Sequence, residues 1–271
     1  MNMVKGLINS ILVLIIYYLL YFGFERLLEY LLLRGFFDNI DPDYILFVSP
    51  LINIFFILIL MWFLRKKKNT CDKRIILNFK SVFIVCVFTI TFFVIKEPFM
   101  RLDLILGNIE IPPIINKKQR SIIDLTTSFI NIIILVPIFE ELLFRKIVLN
   151  FFSKNHILIA IISSSIAFAL IHLKFNDIDI IELVILFCFG ITACLIYLRF
   201  GFGYNVLFHI LSNSIWFFID TSRVEYWGIL RKLNFGIIYW VIIIICMSIF
   251  FYLCSVLFNK VSEINKNNLK R

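Results

Sequence analysis

Charge is scarce in this chain: only 17% of its 271 residues are Asp, Glu, Lys or Arg, and three are histidine. With 61% hydrophobic residues and a mean hydropathy of +0.96 beside that scarcity, a water-soluble domain is excluded and a polytopic membrane protein is indicated. The six cysteines (Cys71, Cys86, Cys188, Cys194, Cys246, Cys254) contain no C-x-x-C pair and five lie in apolar segments, so neither a disulfide framework nor a zinc finger is implied. The net charge of +9 comes from residues at the ends of apolar runs and in short joins, with no basic stripe on a soluble face. It therefore points to the lipid bilayer and its headgroups as partner, and not to nucleic acid. No small-residue cleavage site follows the apolar run after Lys5, and Glu25, Arg26 and Glu29 continue a helical pattern, so the N-terminus is read as a retained first span and not as a signal peptide. There is no fixed-period repeat and no low-complexity linker.

At about twenty residues per crossing, eight spans are expected at roughly 7–30, 44–64, 75–95, 122–148, 156–173, 180–199, 203–219 and 236–258. The expected fold is an all-α polytopic transmembrane helix bundle. The short joins 34–43, 65–74, 150–154 and 174–179 leave no room for a separate soluble domain, so one integral membrane domain over 1–271 is expected. Within it, 1–120 holds spans without motifs, 121–220 holds the chemistry, and 221–271 holds the last span and a basic tail. The longest connection, 96–120, carries Pro98, Pro112 and Pro113 and is read as an interfacial helix followed by a loop. The basic run Arg65 to Lys68 with Lys73 and Arg74 places that loop, and with it both termini, in the cytoplasm. The tail residues Lys260, Lys266, Lys270 and Arg271 agree, and acidic Asp38, Asp41 and Asp43 fall outside. Lys96, Arg101, Lys117, Lys118 and Arg120 run against that orientation.

Polar residues inside the apolar segments carry the chemistry. Glu140, Glu141 and Arg145 interrupt a stretch that otherwise reads as membrane-spanning, and charges at that depth ask for a function and a partner. Adjacent residues on a helix diverge by about 100°, so the two glutamates face differently, whereas Glu141 and Arg145 at i and i+4 share a face in the favourable order. Glu141 with Arg145 is read as an internal ion pair, and Glu140 is left to address a cavity. One such charge serves equally well as interhelical glue; three in six residues are harder to explain that way. Pro137 removes a backbone donor from the carbonyl of Ile133 and is expected to kink the helix. His172 ends a segment containing Ser163, Ser164, Ser165 and Ala167, small residues that let helices approach closely. Alone it reads as a packing histidine. Asn205, His209 and Asn213 recur every four residues as one polar stripe, in which Asn205 suits interhelical glue, and His156 reads as interfacial.

A carboxylate, a histidine on a second helix and a His/Asn pair on a third supply what peptide hydrolysis needs. A base takes a proton from water, and donors stabilise the tetrahedral oxyanion. Glu140 serves as an ionised base only with nearby positive charge or hydrogen bonds and a water-filled cavity.

In order and on separate segments, Glu-Glu-x-x-x-Arg at 140–145, Phe-x-x-x-His at 168–172 and His-x-x-x-Asn at 209–213 resemble the motifs of the CPBP family (CAAX protease and bacteriocin-processing, or Abi) of intramembrane proteases, related to type II CAAX prenyl endopeptidases. The resemblance covers roughly 120–220. It implies an eight-helix bundle around a membrane-embedded catalytic cavity, with Glu140 and His172 activating water and His209 and Asn213 forming the oxyanion hole. Glu141 and Arg145 take supporting roles, and Gly190 matches a small-residue position between the second and third motifs. It also implies a metal-independent glutamate mechanism with no cofactor, although Glu140, His172 and His209 have the residue types of a His/His/Glu zinc site. Other intramembrane protease signatures are missing: there is no His-Glu-x-x-His, no Gly-x-Ser-x-Gly and no Gly-x-Gly-Asp, the nearest to the last being Gly201-Phe-Gly-Tyr204. The expected partner is a peptide or membrane-protein substrate. The expected setting is the plasma membrane of a bacterium with an AT-rich genome, and the expected role is CAAX-type processing or bacteriocin or pheromone prepeptide maturation. Two readings from other classes compete. One is a non-proteolytic scaffold or bacteriocin self-immunity protein; the other is a transporter with proton-relay groups, for which inverted-repeat broken helices are not seen.

Overall fold

The structure is a computed structural model that describes residues 3–33, 48–65, 78–107, 121–152, 156–173 and 179–269. These residues are helical almost throughout, without strands. In chain order the helices are α1 (Met3–Leu33), α2 (Val48–Arg65), α3 (Phe79–Phe99) and α4 (Leu102–Gly107). Then come α5 (Ile122–Phe151), α6 (Ile157–Ile171), α7 (Ile180–Phe200), α8 (Phe202–Thr221), α9 (Arg223–Leu233) and α10 (Ile237–Leu269). Each of the eight expected spans falls on a helix. Among the described residues five helices, α3, α5, α7, α8 and α10, are long and apolar enough to cross a membrane. The 15 residues of α6 rise about 22 Å, short of a hydrocarbon core of about 30 Å. The charged joins that set the expected orientation, including Asp38, Asp41, Asp43, Lys66 to Lys68, Lys73, Arg74, Lys117, Lys118 and Arg120, lie outside the described residues, as do Lys270 and Arg271.

Helix starts follow local chemistry. Asn78, Ser121 and Asp179 each accept a hydrogen bond from a backbone N–H of the first turn of α3, α5 and α7. Gly201, at φ +100°, lets α8 begin directly where α7 stops, a conformation that other residues adopt at a cost. The amphipathic α9 was not anticipated from hydropathy, because 11 residues with a charged face make no apolar run; left-handed Asn234 terminates it.

The chain forms two compact units, interleaved in sequence: Met1–Thr70 with Arg120–Ile178, and Cys71–Gln119 with Asp179–Arg271. In the first, α1 runs so close to the end of α5 that a Cβ on Gly6 would stand 2.9 Å from the Phe151 carbonyl oxygen. Phe139 of α5 packs on Tyr17 of α1 and Phe56 of α2, and the Asn53 amide donates to the Asn131 side chain at 2.8 Å, satisfying polar groups inside an apolar contact. The outer face of α2, with Leu51, Phe55, Leu58 and Trp62, is exposed; a row this apolar suits lipid and not water.

In the second unit Phe92 of α3 meets Phe189 of α7, Phe208 of α8 and Phe250 of α10, so one aromatic cluster ties four helices. At the end of α3 the buried Glu97 accepts hydrogen bonds from the hydroxyls of Tyr226 (2.7 Å, α9) and Tyr239 (α10), and Arg101 Nε lies 3.5 Å away. Burial first, and then the Glu97 carboxylate, push the Tyr226 phenol above its ordinary pKa. The amphipathic α9 is thus held by its apolar face, Trp227 and Leu230, and by this carboxylate.

Candidate active site

The segment bearing Glu140 is wound unusually. Within α5 the turns Phe129–Leu135 and Leu142–Val148 are π-helical and enclose an α-helical Val136–Glu141. Pro137 lacks the N–H that an α-helix would direct at the Ile133 carbonyl, and the chain accommodates this by widening the preceding turns, where Val136 N–H reaches Asn131 O. A second wide turn brings Leu149 N–H to Phe144 O. The same carbonyl accepts a 3.0 Å hydrogen bond from Ser164 Oγ of α6, a buried link between the two helices. π-Helical turns concentrate at functional sites because they shift side chains out of the ordinary helical register.

Glu141 and Arg145 are fully buried and paired, Arg145 Nε to Glu141 Oε2 at 3.1 Å. The guanidinium also lies over the rings of Phe168 (5.1 Å to the centroid) and Phe144 (5.9 Å), so a charge with no access to water is compensated by one carboxylate and two aromatic faces. Glu140 points elsewhere: its Oε1 is 3.6 Å from Nε2 of His172, the residue that ends α6.

His172 is oriented by its own helix. Nδ1 is 2.9 Å from the Phe168 carbonyl oxygen. A carbonyl only accepts, so Nδ1 carries the proton and Nε2 is turned toward Glu140. The imidazole also packs on the Phe168 ring at 4.8 Å between centroids, and Phe168 in turn meets Phe144 edge-on at 5.5 Å. Phe168 thus touches both the Arg145 guanidinium and the His172 imidazole. The 3.6 Å separation is too long for a direct hydrogen bond. A water about 2.8 Å from both atoms would subtend about 80° at its oxygen, so both groups can hold one water. The Glu140 side chain is 7% exposed and that of His172 33%, so the pair is more open on the histidine side.

The third motif lies in the second unit, on α8. Asn205 and His209 are buried and Asn213 is half-buried. The His209 ring stands edge-on to Phe189 at 4.9 Å, and Phe189 stacks on Phe208, so the aromatic cluster fixes the imidazole. Gly190, next to that shelf, is buried. His156 is half-buried at the start of α6. Among the described residues no three His, Cys, Asp or Glu side chains are grouped to hold a metal ion.

The first unit therefore brings Glu140 to His172 and Glu141 to Arg145, and the second arrays Asn205, His209 and Asn213 along one helix. Two contributors were not visible in the sequence: Phe189 as the shelf under His209, and Ser164 as a donor and not merely a small residue. Phe168 was marked in the sequence by its four-residue spacing from His172, and the structure adds its contact with the imidazole.

Residues 123–215, about a third of the chain, match the family described as Type II CAAX prenyl endopeptidase Rce1-like. The chain is also 37% identical over 110 residues to the UPF0177 protein YaiH of Lactococcus lactis subsp. lactis (strain IL1403). That match spans 39% of this chain and 44% of the relative, less than half the length of either. No solved structure matches the chain.

Proposed function

We propose that this chain is an intramembrane endopeptidase in which Glu140 is the general base, a reading supported by the match of residues 123–215 to the family described as Type II CAAX prenyl endopeptidase Rce1-like. The observation that carries this reading is the approach of Glu140 Oε1 to His172 Nε2, with Nδ1 of that histidine committed to the Phe168 carbonyl. A water held between them gives a proton to Glu140 as its oxygen attacks the scissile carbonyl carbon. The carbonyl π electrons move to oxygen, and His209 and Asn213 are assigned as N–H donors to that oxyanion on their chemistry and one-turn spacing. Collapse of the intermediate expels the amine, which takes the proton from Glu140, so the base is regenerated. Arg145 and Glu141 keep the helix that carries Glu140 charge-balanced, and Phe168 keeps His172 in its tautomer.

The substrate class proposed is a membrane-associated peptide or small protein, either a prenylated C-terminus or a bacteriocin or pheromone prepeptide, cut by a multi-pass protein of a bacterial plasma membrane whose termini are cytoplasmic. The test is incubation of the detergent-purified protein with both peptide classes, with and without chelator, and mass spectrometry of the fragments. Cleavage that survives chelator is expected. Loss of cleavage with chelator points to a zinc-dependent step, and a folded protein that cuts neither class points to a scaffold or immunity role.

A further inference from the structure

The second unit holds a cation that the proposed chemistry does not use. Lys96, in the last turn of α3, is 9% exposed, and its ammonium meets no carboxylate and no hydrogen-bond acceptor among the described residues. It lies instead over the ring of Trp216 of α8, 4.3 Å from the centroid, with Phe93 at 5.2 Å. The neighbouring carboxylate is engaged elsewhere. Glu97 is rotated by about 100° on the helix and is taken by Tyr226, Tyr239 and Arg101, whose guanidinium in turn covers Trp227.

The depth of Lys96 identifies what can answer its charge. It stands one turn from the end of α3 at Phe99, and Trp216 is close to the end of α8 at Thr221. Tyr226 and Trp227 of α9, together with Tyr239 and Trp240 at the start of α10, occupy the same end of the unit. Three of the four tryptophans of the chain thus mark the level where three membrane helices end, the aromatic belt that sits among lipid headgroups. At that level the abundant anion is a lipid phosphate, and a lysine with two aromatic walls and no counter-ion among the described residues is suited to it.

We propose that Lys96, walled by Trp216 and Phe93, is a binding site for the phosphate of an anionic phospholipid headgroup, independent of the protease reading. The test is native mass spectrometry of the full-length protein in detergent, titrated with phosphatidylglycerol, phosphatidylcholine or inorganic phosphate. Wild type is expected to retain one phosphatidylglycerol in preference to phosphatidylcholine, with Trp216-dependent fluorescence changing on binding. Lys96→Met, which keeps the packing on both rings, is expected to weaken that first lipid by about fivefold, and Lys96→Arg to restore it. Equal retention of the two lipids by wild type, or undiminished phosphatidylglycerol binding by a folded Lys96→Met, would overturn the site. Displacement of the lipid by millimolar inorganic phosphate would overturn the lipid assignment in favour of a free anion.

Discussion

Removing one partner of the Glu141/Arg145 pair perturbs the buried part of the first unit. Both side chains are fully buried, and Nε and Oε2 are 3.1 Å apart. At an effective dielectric constant of about 20, unit charges at that distance attract by about 5 kcal/mol. Much of that offsets desolvation, but a single substitution recovers none of the desolvation of the partner left behind. Arg145→Met removes the guanidinium that faces the buried Glu141 carboxylate, and Glu141→Gln removes the carboxylate from a guanidinium that lies over the faces of Phe168 and Phe144. Each is expected to cost about 3–5 kcal/mol, whereas the double variant, with no buried charge, is expected to recover at least about 2 kcal/mol of the summed loss. The assay is SDS-induced unfolding in mixed micelles followed by tryptophan emission, with circular dichroism as a second probe of two-state behaviour. Additivity of the two substitutions to within about 0.5 kcal/mol, or single losses below about 1 kcal/mol, would refute the reasoning.

Other outcomes are specific to single contacts. Asn213→Ala is expected to lower kcat about 10²–10³-fold with little change in KM, as removal of an oxyanion donor does, and a pure rise in KM would count against that role. Ser164→Ala should cost about 1 kcal/mol in the same unfolding assay, because the Phe144 carbonyl keeps its bond from Leu149 N–H; no measurable loss would mean the Ser164 bond contributes nothing. Tyr226 is held neutral in the folded protein by burial and Glu97. Its contribution to stability is therefore complete below about pH 10 and lost as pH rises beyond the ordinary tyrosine range, so Tyr226→Phe should flatten the alkaline limb of the stability profile.

What could be read from the sequence was whatever has a local period. Glu141 and Arg145 are four apart and form a pair; Phe168 and His172 are four apart and touch; Asn205, His209 and Asn213 lie on one helix. The eight apolar segments were visible because burying a helix in lipid demands a run of apolar residues. The features that were hidden depend on partners distant in sequence. Glu97 finds Tyr226 and Tyr239 across 129 and 142 positions, and Ser164 reaches Phe144 across 20. The π-helical turns were hidden for another reason. Pro137 announces a lost hydrogen bond, and a kink was expected there, but a residue list does not state that the preceding turn widens until Val136 N–H reaches Asn131 O, or that a second wide turn lies at Leu142–Val148. Hydropathy likewise passed over α9, whose 11 residues are fixed by one apolar face and a buried carboxylate.

The most direct test of the central claim is single-turnover cleavage by Glu140→Gln beside wild type, on whichever peptide the wild type cuts, with thermal unfolding of both proteins recorded in the same detergent. The substitution keeps the shape of the side chain and removes the base, so cleavage is expected to fall by at least about 10²–10⁴-fold while the unfolding temperature stays close to that of wild type. Retained cleavage by a folded Glu140→Gln would contradict the assignment of Glu140 as the group that activates water.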